Sequence, residues 1–121
     1  RAAMTKILLA EDDDSLRAFL TRALERAGYD VTSCADGEEA IANLGERWDL
    51  LLTDIVMPGV DGIEVARQAA ARDPSLRIMF ITGFAAVALS AQDRAPACAK
   101  VLSKPVHLRD LVSEVEKVMA A

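Results

Sequence analysis

A chain of 121 residues that is 52% hydrophobic, with only five aromatics and a formal net charge of -5, fits one domain with an aliphatic core large enough to fold without disulfide staples. The acidic balance and the lack of any Lys/Arg stripe exclude a general nucleic-acid binder. No apolar run approaches the ~18 residues of a membrane span and no charged start leads into a secretory stretch, so no membrane partner is expected and the expected compartment is the cytoplasm. Cys34 and Cys98 lack the spacing of a zinc knuckle or redox pair and read as reduced thiols. Met4 resembles a natural start, which makes residues 4–121 the expected single domain and residues 1–3 an added appendage.

Along the chain, short apolar runs alternate with amphipathic stretches. Lys6 to Ala10 reads as a first strand, and it runs without a spacer into four carboxylates, Glu11, Asp12, Asp13 and Asp14. From Leu16, the positions Leu16, Phe19, Leu20, Ala23, Leu24 and Ala27 form a helical stripe that Gly28 closes. Asp30 to Ala35 is a second strand. Asp36, with Glu39 three residues on, is a capping-box start for the next helix. Asp49 to Asp54 is a third strand, Asp61 and Glu64 repeat the helix start, and Arg77 to Thr82 is a fourth strand. An Ala-rich segment from Phe84 to Ala91, a fifth strand from Ala99 to Ser103, and a helix with Leu108, Leu111, Val112, Val115 and Val118 on one face complete the pattern.

Strands that are apolar throughout are buried on both faces, and strands separated by helices pair in parallel through right-handed crossovers. The expected fold class is therefore α/β, a doubly wound five-stranded parallel sheet, with any ligand outside the carboxyl ends of the strands. The residues closing each apolar run are Glu11 and Asp12, Asp54, Thr82, and Ser103 with Lys104. Converging carboxylates repel unless a cation sits among them, and oxygen ligands with no Cys or His beside them select Mg2+. Such an ion keeps waters and takes few carboxylates plus a phosphoryl oxygen. The Lys104 ammonium and the Thr82 hydroxyl are what further phosphoryl oxygens need. Taken singly, each residue has a plainer role. Asp13 and Asp14 read as helix-cap and dipole residues, and the Pro58, Gly59 and Gly62 that follow Asp54 would suit any turn. His107 reads as a surface residue at the start of the last helix, and Trp48 and Tyr29 as rim packing.

The set AEDD at the first strand end, LLTDIVMPGVDG around Asp54, FITGF at Thr82 and LSKP at Lys104 resembles the receiver domain of two-component response regulators over nearly the whole chain. That resemblance implies the (βα)5 flavodoxin-like receiver fold and Asp54 as phospho-acceptor. It implies Asp12 as a direct Mg2+ ligand, Glu11 as an acidic partner reaching the ion through water, and the Val56 backbone carbonyl as a further ligand. Thr82 and Lys104 would hold phosphoryl oxygens, and the Lys104–Pro105 bond would be cis. The phosphodonor would be a histidine kinase or a histidine phosphotransfer protein, and the chain would catalyse only its own phosphoryl transfer and autodephosphorylation rather than act as an enzyme on a separate substrate.

The size and the ending EKVMAA make it similar to stand-alone receivers, and more narrowly to an alphaproteobacterial group that acts as adaptor for an AAA+ protease. Motor binding and phosphate relay to another protein are the alternative outputs. One departure concerns Val101, which stands where receivers commonly carry a Tyr or Phe that turns inward, and a valine cannot serve as a large rotamer switch. Phe84 or the Ala-rich segment would then carry the change. The rival reading is a Mg2+-dependent phosphatase or phosphotransferase, but such enzymes commonly place a second acid two residues after the nucleophile, and here that residue is Val56.

Overall fold

Five strands, Lys6–Ala10 (β1), Asp30–Cys34 (β2), Leu50–Asp54 (β3), Arg77–Thr82 (β4) and Lys100–Ser103 (β5), form one sheet in the order β2-β1-β3-β4-β5. Every neighbouring pair is parallel. The structure, a computed structural model, describes residues 4–83 and 99–121. Its helices among these are Asp14–Arg26 (α1), Gly37–Ala42 (α2), Gly62–Arg72 (α3) and Leu108–Ala120 (α4). The Ala-rich segment from Phe84 to Ala91, and Cys98, lie outside the described residues.

Side chains alternate across a strand, so each strand feeds two cores. Leu8, Leu51 and Phe80 pack with Ala40, Ile63, Val65 and Ala66 of α2 and α3. Ile7, Leu9, Leu50, Leu52, Met79 and Ile81 face the other way, onto Leu20 and Leu24 of α1 and Leu111 and Val115 of α4. Burying each such aliphatic side chain contributes roughly 1.5–3 kcal/mol, which accounts for strands that are apolar on both faces. A strand slipped by one residue would exchange the two sets, so the register is strongly fixed.

The helix starts are set by carboxylates. Asp13 accepts the Leu16 N–H at 2.7 Å, so α1 begins two residues before its apolar stripe. Asp36 accepts the Glu39 N–H at 2.8 Å while Glu39 reaches back to the Ala35 N–H at 2.8 Å, and Asp61 accepts the Glu64 N–H at 2.9 Å. Glu64 does not complete a second box; it turns to Arg67 and Gln68. Past α1, Gly28 takes a φ of 101°, a left-handed position that favours glycine. Asp49 stays outside β3 because its carboxylate accepts the Lys6 N–H at 2.8 Å, tying the entrances of β1 and β3 together. The Lys104–Pro105 bond is cis.

Trp48 departs from the rim position expected of it. It is 5% exposed and belongs to the core on the α2 and α3 side. Its indole N–H donates to the Asn43 carbonyl at 2.8 Å, and the Lys6 ammonium lies 4.9 Å from the ring centroid. Satisfying that one polar atom is what lets the ring go inside. His107 is exposed and caps α4 with no side-chain hydrogen bond.

Cys34 ends β2 as a free, buried thiol, and burial, with Glu39 and Asp36 nearby, pushes it up to about 12. Its thiolate is therefore scarce near neutrality, and the thiolate is the reactive form. Native protein treated with iodoacetamide at pH 8 and mapped by peptide mass spectrometry should leave Cys34 unmodified, whereas the same treatment in urea should label it fully. Labelling of Cys34 at equal rates in both would show that this strand end is open.

Candidate functional site

In this sheet β1 has β2 on one side and β3 on the other, so the strand order reverses there, and the edge at which parallel sheets take ligands is the carboxyl ends of β1 and β3. Ala10 pairs with Thr53, which sets the next residues, Glu11 and Asp54, opposite each other. Glu11 is 1% exposed and Asp54 5% exposed, whereas Asp12 is open to solvent. One carboxylate oxygen from each of Glu11, Asp12 and Asp54 lies within 4.8 Å of the others.

The cation arrives from the opposite side. Thr82 ends β4 and is 2% exposed, and its carbonyl accepts the Lys104 N–H at 2.8 Å. With the backbone fixed there, the Lys104 ammonium donates to Asp54 Oδ2 at 2.8 Å and stands 3.4 Å from Glu11 Oε1. Burial pulls the Lys104 ammonium down, but Asp54 and Glu11 outweigh it and the net shift is upward. Asp54 Oδ1 accepts the N–H of Val56 at 3.3 Å. The residues expected to close the strands thus meet on one rim, with Val56 exposed at its edge.

Glu11 carries the tension in this arrangement. Its Oε2 accepts the Asp13 N–H at 2.9 Å, and the Arg17 guanidinium donates to its backbone carbonyl at 2.9 Å. Its Oε1 is buried without a hydrogen-bond partner, because Lys104 lies in ion-pair range but is directed at Asp54. Burial, opposed by the Asp13 N–H and reinforced by Asp54, raises the carboxyl from 4.5 to about 7. A buried carboxylate oxygen with no hydrogen bond is an unfavourable state for a protein alone. It is the atom a cation would satisfy, and the oxygen-only donor set matches Mg2+.

Three residues that shape this rim carry no signal of their own in sequence. A Cβ at Gly62, the first residue of α3, would stand 1.8 Å from the Asp54 carbonyl and 3.0 Å from Thr53 Oγ1. Only glycine lets α3 close against the strand end. A Cβ at Gly37, which opens α2, would stand 2.4 Å from the Val60 carbonyl. The neighbouring Glu38 accepts the Val60 N–H at 3.0 Å, 22 positions away. Both glycines look like ordinary turn or helix-start residues, and Glu38 like first-turn dipole compensation; the pairing of distant loops is not written in local pattern.

Replacing Gly62 with Ala should push the Asp54 backbone aside and destabilise the fold by roughly 1–3 kcal/mol, read by urea unfolding; an unchanged midpoint would contradict the close approach. Glu11 sets a pH dependence. Because its folded pKa is raised, the folded form holds the extra proton, so the stability it contributes is full below about pH 4.5 and is lost as pH rises through about 7. In chelator, the contribution of this carboxyl to the unfolding free energy should fall by roughly 3 kcal/mol across that window. Glu11→Gln should flatten the profile and exceed the parent in stability at pH 8.

The family model described as "Response regulator receiver domain" matches residues 7–116. The chain is 61% identical over 119 residues to "Response regulator receiver protein CpdR" of Brucella abortus, covering 98% of this chain and 99% of that one. Among solved structures, a response regulator receiver protein from Sinorhizobium medicae superposes with a TM-score of 0.89 at 32% identity, over 98% of this chain and 96% of that one. The response regulator protein TrrA of Thermotoga maritima, solved in complex with Mg(2+)-BeF, superposes with a TM-score of 0.84 at 26% identity, over 95% of this chain and 99% of that one. With the parallel sheet, the acidic rim and these matches all spanning the same residues, the chain belongs to the response regulator receiver domain family.

Proposed function

We propose that this protein is a phosphorylation-controlled signalling receiver, built as a single domain over residues 4–121, that accepts a phosphoryl group on Asp54 with Mg2+ and signals through protein–protein contact. The observation that carries this reading is the Lys104 ammonium 2.8 Å from Asp54 Oδ2, beside two further carboxylates within ligating distance of one another. Three carboxylates against one ammonium leave two negative charges, the amount one Mg2+ neutralises. The bound ion would be held by Asp12, Asp54 and the Val56 carbonyl, with Glu11 behind it, and it would supply charge neutralisation between acceptor and phosphoryl oxygens. The complex of the TrrA relative with Mg(2+)-BeF supports this ligand class.

A phosphohistidine of a histidine kinase or phosphotransfer protein is the donor this chemistry needs. A carboxylate oxygen of Asp54 attacks phosphorus in line, the P–N bond breaks, the imidazole leaves with the electron pair, and an O–P bond forms. Lys104 and the Thr82 hydroxyl hold phosphoryl oxygens as charge develops. The acyl phosphate then biases the surface beside β4, β5 and α4 between two arrangements. Full-length correspondence to the CpdR relative favours a stand-alone, intracellular receiver, and an AAA+ protease is the target we assign to it.

Incubation with acetyl phosphate and Mg2+ should label the parent, while chelator or Asp54→Asn should abolish labelling. Affinity capture with labelled and unlabelled protein beside Asp54→Asn should show an AAA+ unfoldase bound in one phosphorylation state only. Labelling that persists in Asp54→Asn would overturn the site assignment, and phosphate-independent capture would overturn the output.

A further inference from the structure

The loop between β3 and α3 carries Val56 and leads away from Asp54, and near its root the Val56 N–H donates to Asp54 Oδ1 at 3.3 Å and the Gly62 N–H to the Ile55 carbonyl at 2.8 Å. Two more hydrogen bonds come from outside: the Ile55 N–H donates to the Ile81 carbonyl of β4 at 3.2 Å, which ties down the root of the loop, and a side chain of α2 holds its tip. Glu38, in the first turn of α2, accepts the Val60 N–H at 3.0 Å. Two glycines make room for that contact. Gly59, at a φ of 78°, would bring a Cβ to 2.8 and 2.9 Å of the two Glu38 carboxylate oxygens, and Gly37 would bring one to 2.4 Å of the Val60 carbonyl. The start of α2 and the tip of the loop are therefore in contact at two consecutive residues on each side, and the carboxylate is the only side-chain hydrogen bond described from outside the loop to Val60.

The geometry points to Glu38 as a positioning residue: by clamping Val60 it fixes the loop so that the Val56 carbonyl and Asp54 are held in the arrangement that receives Mg2+ and phosphate. This rests on the reading of Asp54 as the acceptor. Glu38 touches neither reacting atoms nor ion; it acts through the backbone. An acceptor oxygen is what the clamp requires, not a negative charge, which separates it from the dipole role a first-turn Glu has on any helix. The Glu38→Gln amide oxygen can still accept from Val60, whereas Glu38→Ala cannot. A site held about an ångström off its productive geometry loses rate and affinity before it loses fold.

Parent, Glu38→Ala and Glu38→Gln would be compared for Mg2+ affinity by calorimetry, for initial rate of labelling from acetyl phosphate, and for thermal midpoint. Glu38→Ala should weaken Mg2+ binding and slow labelling, each about three- to tenfold, the effect of one net hydrogen bond. Glu38→Gln should stay within about twofold of the parent in both, and both variants should melt within a few degrees of it. Parental behaviour of Glu38→Ala, or equal loss in Glu38→Gln, overturns the clamp. Failure of the parent itself to be labelled sinks the phosphate reading, while the Mg2+ titrations still judge the clamp.

Discussion

The structure depends on holding two carboxylates, Glu11 and Asp54, side by side and nearly out of water at adjacent strand ends. Desolvation, reinforced by the neighbouring Asp54, opposes the ionisation of Glu11. One ammonium, that of Lys104, is placed against them, 2.8 Å from Asp54 Oδ2 and 3.4 Å from Glu11 Oε1. The outcome is asymmetric. Asp54 accepts hydrogen bonds at both oxygens, whereas Glu11 keeps one buried oxygen with no hydrogen-bond partner and only the longer ion pair to Lys104, and a carboxyl raised to about 7. A group left in that condition carries a free-energy deficit that a cation would relieve, which is the physical link between the acidic rim and the Mg2+ chemistry proposed for it.

Everything around the rim serves to bring these groups together and keep them there. Parallel strands in a fixed register deliver Glu11, Asp54 and Thr82 to one edge, where the strand order reverses at β1. The backbone bond from Lys104 to the Thr82 carbonyl sets the root of the lysine, so that its long side chain need only cross to the neighbouring strand end. Gly62 allows α3 to begin directly against the Asp54 carbonyl, and Gly37 and Glu38 press α2 onto the far side of the same loop. The acidic residues that are not part of the rim have separate employment: Asp13 caps α1, and Asp14 pairs with Arg17 at 2.6 Å. Arg17 in turn holds the Glu11 carbonyl, so the first acidic loop is braced by its own helix.

Much of this was legible in the residues themselves. Hydrophobic period fixes whether a segment is strand or helix, because burial on both faces of a strand demands an unbroken apolar run and burial on one face of a helix demands a stripe. Capping carboxylates and Gly28 then mark where helices start and stop. The order of strands and helices, the rim residues Glu11, Asp12, Asp54, Thr82 and Lys104, and the structural role of Asp13 all follow from such local signals combined with the rule for parallel sheets. Trp48 escaped that reading because a residue beside a turn can still bury its ring once Asn43 accepts its N–H.

What the amino-acid sequence determined by itself is the inventory and the periodicity, and with them the set of chemical groups that a parallel sheet gathers at one edge. Only the tertiary structure decided which oxygen of Glu11 is left without a hydrogen bond, that Lys104 favours Asp54 over Glu11, and that Gly37, Glu38 and Gly62 shape the loop after Asp54. The reason is physical. Periodicity and capping are set by neighbours within a turn or a strand, whereas hydrogen-bond competition and close backbone approach depend on distances between segments tens of residues apart, set by packing of the whole chain.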